Sequence, residues 1–302
     1  MKIGIPLSVT MAIGLFLSLV ALDTAATPLE QQRELFLEAE RALQNKQYRR
    51  YNALLPELRD YSLYPYLLYK DLRQRLATAK NDEFSLFFYN YGNTPLAPLL
   101  RNALLKHLAK KKRWKDYLAH YLPSSDISQQ CYYRTALLKT GQQSKALESI
   151  DELWLSGRKR PSNCEAVFQA GREAGKITRK LIRQRAYLAL EQGQISLANY
   201  LARSLSSVEK NRIENLAELQ HHPERAVKIR TLGNDKQAAR RILIRAVKRL
   251  ARNEFEQAAS SWNTLQGRFK FTPAEKAEVT RSFGLRLAWQ HNPEGLKWLS
   301  KV

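Results

Sequence analysis

The sequence predicts an all-α fold, an irregular αα-hairpin superhelix of the horseshoe-like solenoid type. The 302 residues include only 12 Gly and 11 Pro, and long stretches consist of Leu, Ala, Glu, Lys, Arg and Gln, which favour helices. No segment alternates Val, Ile and Thr with a period of two, as a half-buried strand would. Hydrophobic residues make up 44% of the chain, which favours a packed core over disorder.

Short helix-breaking segments divide the chain into pieces of roughly 10 to 20 residues, the ordinary length of a globular helix. The breakers lie near Pro56, Pro65, Gly92 to Pro98, Pro123, Gly141, Gly157 to Pro161, Gly171 to Gly175, Gly193, Pro223, Gly233, Gly267, Pro273 and Pro293. These positions predict where successive helices begin and end.

A weak repeat at the turns indicates that consecutive helices form hairpins. Gly or Asn at the end of one helix tolerates a left-handed backbone, and Ala five residues later lets the next helix approach closely. The repeat pairs Gly141 with Ala146, Gly193 with Ala198, and Asn253 with Ala258, with looser copies at Lys46 and Lys112. The distance between copies varies, so we expect an irregular array and not a strict tetratricopeptide repeat.

Residues 1–26 are predicted to be a secretory signal peptide. Lys2 supplies the basic start, residues 3–22 are mostly apolar, and residues 24–26 (TAA) are small, as a signal peptidase requires. The alternative is an uncleaved membrane anchor, because the apolar stretch is nearly long enough to span a bilayer. After cleavage we expect residues 27–302 to form one periplasmic unit without a stable membrane anchor.

The only two cysteines, Cys131 and Cys164, lie in the part expected to be exported. An even count in a secreted chain suggests one disulfide. Two buried free thiols are the alternative.

Positive charge is in excess and is concentrated. Lys and Arg number 50 against 28 Asp and Glu, which gives a net charge of +22. One stretch in which Asp235 is the only aspartate contributes a candidate polyanion-binding set: Arg225, Lys228, Arg230, Lys236, Arg240, Arg241, Arg245, Lys248, Arg249 and Arg252. These residues form either solvated helix faces or an electrostatic groove for an anionic polymer. For an exported chain the accessible polyanion is peptidoglycan, whose stem peptides carry carboxylates, and nucleic acid is not an expected partner.

The sequence contains no pattern of a catalytic, metal or cofactor site. The five histidines are scattered, no Gly-rich phosphate loop occurs, and no nucleophile elbow occurs. Glu148 and Ser149 are expected inside a helix as solvated surface groups. We therefore expect no catalytic residue, no metal and no cofactor.

Several segments carry a more specific pattern. Residues 58–69 read LRDYSLYPYLLY, and they are followed in order by QCYY (130–133), TGQ (140–142), ELWLSG (152–157), PSNC (161–164) and GLKWL (295–299). In order and spacing, these segments resemble the N-terminal part of the soluble lytic murein transglycosylase family.

The resemblance implies that residues 27–302 correspond to that family's U-domain, a superhelix of short helices, and that Cys131 and Cys164 are bridged. In the family, a separate lysozyme-like domain carries a catalytic glutamate and cleaves MurNAc–GlcNAc bonds to 1,6-anhydro products. Its Glu-Ser-x-x-x-Pro segment has no match here, and its Gly-Leu-Met-Gln segment cannot occur, because Met1 and Met11 are the only methionines. We therefore expect this chain to lack that domain and to be inactive alone.

The first functional interpretation is an exported region that binds peptidoglycan glycan strands during murein turnover. Its partners then include a lysozyme-like catalytic domain or other periplasmic proteins. The alternative is a non-enzymatic periplasmic scaffold that binds proteins through helical repeats. A cytosolic nucleic-acid-binding protein is disfavoured by the signal pattern and the cysteine pair.

Overall fold

The computed structural model describes residues 28–230 and 236–302, and within these ranges it contains helices and no strand. The α-helices are α1 Pro28–Gln44, α2 Tyr48–Leu54, α3 Tyr64–Gln74, α4 Asn81–Tyr91, α5 Leu96–Lys110, α6 Trp114–His120, α7 Ile127–Lys139, α8 Gln143–Ala146, α9 Ile150–Trp154, α10 Glu165–Glu173, α11 Arg179–Glu191, α12 Ile195–Ala202, α13 Ser207–Glu218, α14 Lys236–Leu250, α15 Phe255–Arg268, α16 Pro273–Trp289 and α17 Glu294–Leu299. Three 3₁₀ helices cover Leu55–Leu58, Ser162–Cys164 and Pro223–Lys228. The predicted all-α class is confirmed, whereas the predicted signal peptide lies outside the described residues.

The chain divides into two compact units, one ending at Leu100 and the other beginning at Arg101. In the first unit, α1 packs against α2 and α3. Its core contains Phe36, Leu43 and Tyr51, and the ring of Tyr61 contacts that of Phe36 at a centroid distance of 5.4 Å. Part of the LRDYSLYPYLLY segment therefore serves to close this core.

The second unit contains a large apolar core cluster, whose buried members run along the chain from Cys131 to Phe283. Neighbouring helices pack in sequence, with α11 against α12, α14 against α15 and α16 against α17. Trp262 and Phe283 are among the largest side chains buried in it. Because each hairpin buries an apolar face against the next hairpin, every successive hairpin extends the core along the chain.

The predicted hairpin turns are present, with one correction. Gly141 and Gly193 adopt left-handed backbones with φ of 81° and 71°, and Lys46 and Lys112 also have positive φ. Asn253 does not have a positive φ, so the predicted left-handed cap is wrong at this position. The next helix, α15, nevertheless begins two residues later, at Phe255. The three alanines of the repeat, Ala146, Ala198 and Ala258, are completely buried, as close helix contact requires.

Residues Glu148 and Ser149 are not inside a helix, contrary to the prediction. Ser149 precedes α9 with φ 46° and ψ 38°, a left-handed conformation that costs a non-glycine residue roughly 1 kcal/mol. The break separates the short helices α8 and α9. Glu148 and Ser149 are both exposed, as expected.

Cys131 of α7 and Cys164 form a disulfide with a Cα–Cα distance of 4.8 Å, and both residues are buried. Beside it, the Asn163 side-chain amide donates to the Ser128 carbonyl oxygen at 2.8 Å. Together these links fix the N-terminal half of α7 to the start of α10.

None of the helices in the described part of the chain combines the length and apolar character needed to cross a bilayer.

Candidate polyanion-binding site

Helix α14 has one apolar face and one basic face. Ala239, Ile242, Leu243, Ala246 and Val247 are buried in the core of the second unit. The basic residues recur at intervals of three or four, so they form a stripe along the other side of the helix. This stripe and its extension just past the helix consist of Arg241, Arg245, Lys248, Arg249 and Arg252.

The stripe lines an open cleft of about 510 Å³, which we call the basic cleft. Its other lining residues include Glu191 at the end of α11 and Glu278 on α16. Five cationic side chains thus face two carboxylates, which leaves the lining with a net charge of +3. Such a concentration of one sign in a concave surface attracts anions more strongly than isolated surface charges do.

Two cations of the cleft form ion pairs with helices far away in sequence. Arg241 pairs with Glu191 at 3.3 Å, and Lys248 pairs with Glu278 at 2.7 Å. These pairs position the cations but also neutralise part of the charge. The sequence showed no sign of them, because the partners are 50 and 30 residues away.

Arg245 is held by neutral groups. Its Nε donates to Gln220 Oε1 at 3.2 Å, and its Nη1 donates to the backbone oxygen of Glu191 at 3.2 Å. Gln220 is buried, so it fixes the guanidinium from the core side. The negative end of the α11 dipole adds a favourable interaction with this cation.

Gly193 makes room for the Arg245 guanidinium. A Cβ atom at this position would lie 2.5 Å from Arg245 Nη2, closer than a van der Waals contact allows. Glycine therefore suits the turn between α11 and α12 in two ways: it adopts the left-handed backbone without strain, and it leaves the end of the Arg245 side chain where it is.

Arg249 and Arg252 have exposed side chains, and no ion pair links either of them to another described residue. They lie at the C-terminal end of α14, and the carbonyl of Arg252 accepts a hydrogen bond from Arg286. An incoming anion would therefore meet these two guanidinium groups without displacing an internal carboxylate.

The structure does not place the ten predicted residues on one surface. Lys228 and Arg230 line a separate cleft of about 720 Å³ with Ser260 and Thr264 of α15. Arg225 pairs with Glu218, and Lys236 is exposed at the first residue of α14. Five of the ten predicted residues therefore line the basic cleft, and the other five do not.

Arg240 has a structural partner. Its Nε donates to both carboxylate oxygens of Glu275, at 3.1 and 2.9 Å, and both side chains are largely buried. Burial alone would raise the pKa of Glu275, but hydrogen bonds from the Thr272 backbone and from Arg240 outweigh it, so this pKa lies below its usual value. Arg240 therefore joins α14 to α16 and is not available to a ligand.

The carboxyl groups with shifted pKa values do not suit acid catalysis. The pKa of Glu83 is lowered by a hydrogen bond from Arg75, and that of Glu209 by one from Arg183. A general acid that protonates a glycosidic oxygen needs a raised pKa. In the described residues no group of three or more His, Cys, Asp or Glu side chains could hold a metal ion.

The sequence also resembles proteins of known activity. Over 193 residues, 64% of this chain, it is 30% identical to the soluble lytic murein transglycosylase of Escherichia coli K12. Over 178 residues, it is 30% identical to the protein of the same name from Salmonella typhimurium. This chain is a homologue of the soluble lytic murein transglycosylases. It spans 30% of the length of the E. coli relative and 28% of the Salmonella one.

Solved structures of transglycosylases support the same relationship. The crystal structure of the 70 kDa soluble lytic transglycosylase Slt70 from E. coli matches 90% of this chain with a TM-score of 0.75 and 25% identity, over 44% of its own length. Slt from Pseudomonas aeruginosa matches 87% of this chain with a TM-score of 0.66 and 28% identity, over 43% of its length. No family model matches the chain. The αα-hairpin superhelix predicted from the sequence is thus the fold of these transglycosylase regions.

Proposed function

We propose that this chain is an exported region that binds murein, and that the basic cleft contributes the electrostatic part of that binding. The homology to murein transglycosylases supplies the ligand class, since the names of these relatives state that they act on murein. Slt70 has also been solved in complex with bulgecin A. The single observation that carries the proposal is the cleft, in which five cations face two carboxylates.

The chemistry of murein fits this cleft. Its stem peptides carry carboxylates, which guanidinium groups bind through charge-assisted hydrogen bonds. Arg249 and Arg252 are exposed and not engaged by an internal carboxylate of the described residues, so they are the groups that we expect to contact such an anion. Binding through exposed charges is weak and decreases with salt, because counterions screen the field.

Export to the periplasm is the second part of the proposal. It rests on the basic, apolar and small-residue segments of residues 1–26 and on the ligand class. The Cys131–Cys164 disulfide is consistent with an oxidising compartment. N-terminal sequencing of the protein from periplasmic extracts should find residue 27 as the first residue, and a mature protein that retains Met1 would contradict cleavage.

Retention of the purified protein on isolated murein tests the binding. Replacing Arg249 and Arg252 together by Gln should reduce retention at low salt, because it removes two uncompensated cations of the cleft. The matched control replaces Arg158 and Lys159 by Gln, since both side chains are exposed and the same charge is lost outside the cleft. An equal decrease in the two variants would show that only net charge matters, and no decrease in either would overturn the proposal.

We further propose that the purified chain alone does not cleave murein. The three carboxyl groups with a lowered pKa, Glu83, Glu209 and Glu275, are engaged with arginines and are not poised to donate a proton. Incubation with murein should release no anhydromuropeptides. Their detection would contradict this expectation without bearing on binding.

A further inference from the structure

A second cleft, of about 570 Å³, lies where the end of α6, the middle of α7 and the turn after α8 meet. We call it the tyrosine cleft, because Tyr121 and Tyr133 line it. None of its lining residues belongs to the predicted polyanion-binding set. Its three charged lining residues are Arg134, Lys145 and Glu148, so its lining has a net charge of +1, against +3 for the basic cleft.

The two tyrosines form the end of a row of stacked rings. Tyr121 and Tyr133 are nearly parallel, with an interplanar angle of 13° and a centroid distance of 4.2 Å. On the core side, Tyr117 stacks on Tyr121 at 6.1 Å and is completely buried. Tyr133 is only half-buried, so the row runs from the core to the cleft and presents a rigid aromatic surface there.

The position of this surface is fixed by covalent and polar links. Tyr133 lies two residues after Cys131, and the disulfide to Cys164 anchors that part of α7. Gln130, also in the lining, donates from Nε2 to the Ser124 carbonyl oxygen at 2.6 Å, which holds the segment after Tyr121 against α7. The aromatic surface is therefore organised before any ligand arrives.

Hydrogen-bonding groups lie on the other side of the cleft. Arg134 Nη1 donates to the carbonyl oxygens of Ala146 at 2.7 Å and of Glu148 at 2.6 Å. Ser149 adopts its left-handed backbone at this turn, and strain of this kind is concentrated at ligand-binding sites. The Glu148 carboxylate is exposed and interacts electrostatically with Arg134, but it forms no direct ion pair with another described residue, so its oxygens can accept hydrogen bonds from a ligand.

We propose that the tyrosine cleft binds a neutral pyranose ring of a glycan strand, which stacks on Tyr133 and hydrogen-bonds to Glu148. The face of a tyrosine ring is electronegative and attracts the weakly positive C–H groups on the face of a sugar. Sugar hydroxyl groups can donate hydrogen bonds to an ionised carboxylate, which acts only as a hydrogen-bond acceptor. If the glycan strand is murein, this inference rests on the proposed function. It concerns the tyrosine cleft and the uncharged sugar rings, whereas the proposed function concerns the basic cleft and the carboxylates of the polymer.

Titration with chitohexaose, a neutral N-acetylglucosamine oligomer, tests the proposal by isothermal calorimetry on the whole purified protein. Replacing Tyr133 by Leu should weaken binding about two- to tenfold, the range that one aromatic stacking contact contributes. Tyr133→Phe keeps the ring and should bind as the unmodified protein does. The matched control is Tyr200→Leu, since Tyr200 is 52% exposed on α12 and does not line the cleft.

Two further comparisons separate this site from the basic cleft. Chitohexaose binding should persist at about 1 M salt, where the Debye length falls to about 3 Å, and should be unchanged in the Arg249→Gln, Arg252→Gln protein. Glu148→Gln, an exposed substitution that leaves the core untouched, should weaken it. A parallel titration with cellohexaose, a glucose oligomer, shows whether the cleft prefers N-acetylated sugars or binds any pyranose. Binding of either oligomer that depends on Tyr133 supports the proposal.

Absence of saturable binding to both oligomers, or equal binding by Tyr133→Leu and Tyr200→Leu, would overturn the assignment of this cleft. Retention on murein through the basic cleft would be unaffected by that result, so the two proposals fail separately.

Discussion

The basic cleft and the tyrosine cleft are both in the unit that begins at Arg101, but they are held together differently. In the basic cleft, ion pairs from Glu191 and Glu278 orient Arg241 and Lys248 across helices that are distant in sequence. In the tyrosine cleft, the disulfide of Cys131 anchors α7, and Tyr133 stacks on a row of rings that starts in the core. One cleft therefore depends on charge, and the other on a covalent link and aromatic packing.

Because the two clefts are built from different interactions, different conditions should affect them. Salt and acid act on exposed and paired charges. Reduction breaks the Cys131–Cys164 disulfide and so frees α7, the helix that carries Tyr133. Each of the following changes should therefore affect one cleft more than the other.

Removal of the disulfide should have the largest effect. The Cys131→Ala, Cys164→Ala protein loses a link between residues 33 apart in sequence, which in the chain-entropy model stabilises the fold by about 4 kcal/mol. Denaturant unfolding of this variant and of the parent protein measures the loss. Hydrogen exchange should increase in α7 more than in α14.

The parent protein treated with reductant provides the control, because it keeps both sulfur atoms and loses only the bond. Equal stability with and without the bond, or equal exchange in the two helices, would contradict the structural role assigned to it.

Replacement of Glu275 by Gln should have the next largest effect. Glu275 pairs with Arg240 and also accepts from the Thr272 N–H at 2.8 Å in the capping box of α16, so its loss should cost roughly 2 kcal/mol at neutral pH. Unfolding of the variant and the parent at a series of pH values measures this cost. Because the pKa of Glu275 is lowered in the folded state, its contribution is present above the pKa of an unfolded glutamate and is lost as the pH falls through the folded value.

The stability difference between the two proteins should therefore narrow as the pH decreases from 7 towards 3. A difference that stays constant over this range would show that the ionised carboxylate does not contribute. Murein retention at neutral pH by the folded variant should remain close to that of the parent, since Glu275 does not line the basic cleft.

Alanine at Gly193 should have a smaller effect on stability but a specific effect on binding. A left-handed backbone costs alanine about 1 kcal/mol relative to glycine, and the new methyl group would also displace Arg245. Gly141→Ala is the matched control, because its φ of 81° is similar and nothing lies within 4 Å of the added Cβ. Both variants should lose stability, Gly193→Ala somewhat more because it also disturbs the Arg245 hydrogen bonds, and only Gly193→Ala should show reduced murein retention.

Identical retention by the two glycine variants would mean that the position of Arg245 does not matter for binding.

The sequence was sufficient to predict the hairpins but not the contacts that assemble the clefts. Gly141 and Gly193 mark turns because a left-handed backbone is a local property, and the stripe from Arg241 to Arg252 follows from helical spacing. The pairing of Arg241 with Glu191 joins residues 50 apart, and no local pattern encodes it.

The stacking of Tyr121 on Tyr133 was not predicted for a similar reason. The two residues belong to different segments, and QCYY was informative only as part of a family resemblance. The apolar spacing around Ser149 predicts a helix, whereas the structure has a left-handed residue there. Arg134 donates to the neighbouring carbonyl groups of Ala146 and Glu148, a contact that no local pattern encodes.

The most direct test of the account is murein retention as a function of salt for four proteins. These are the parent, the Arg249→Gln, Arg252→Gln variant, Tyr133→Leu, and the combination. We predict that the arginine changes remove the part of retention that disappears towards about 1 M salt, and that Tyr133→Leu reduces the part that persists, with additive effects in the combination. If Tyr133→Leu and the arginine variant both removed the same salt-sensitive part, the two clefts would not be separate binding sites and the account would be wrong.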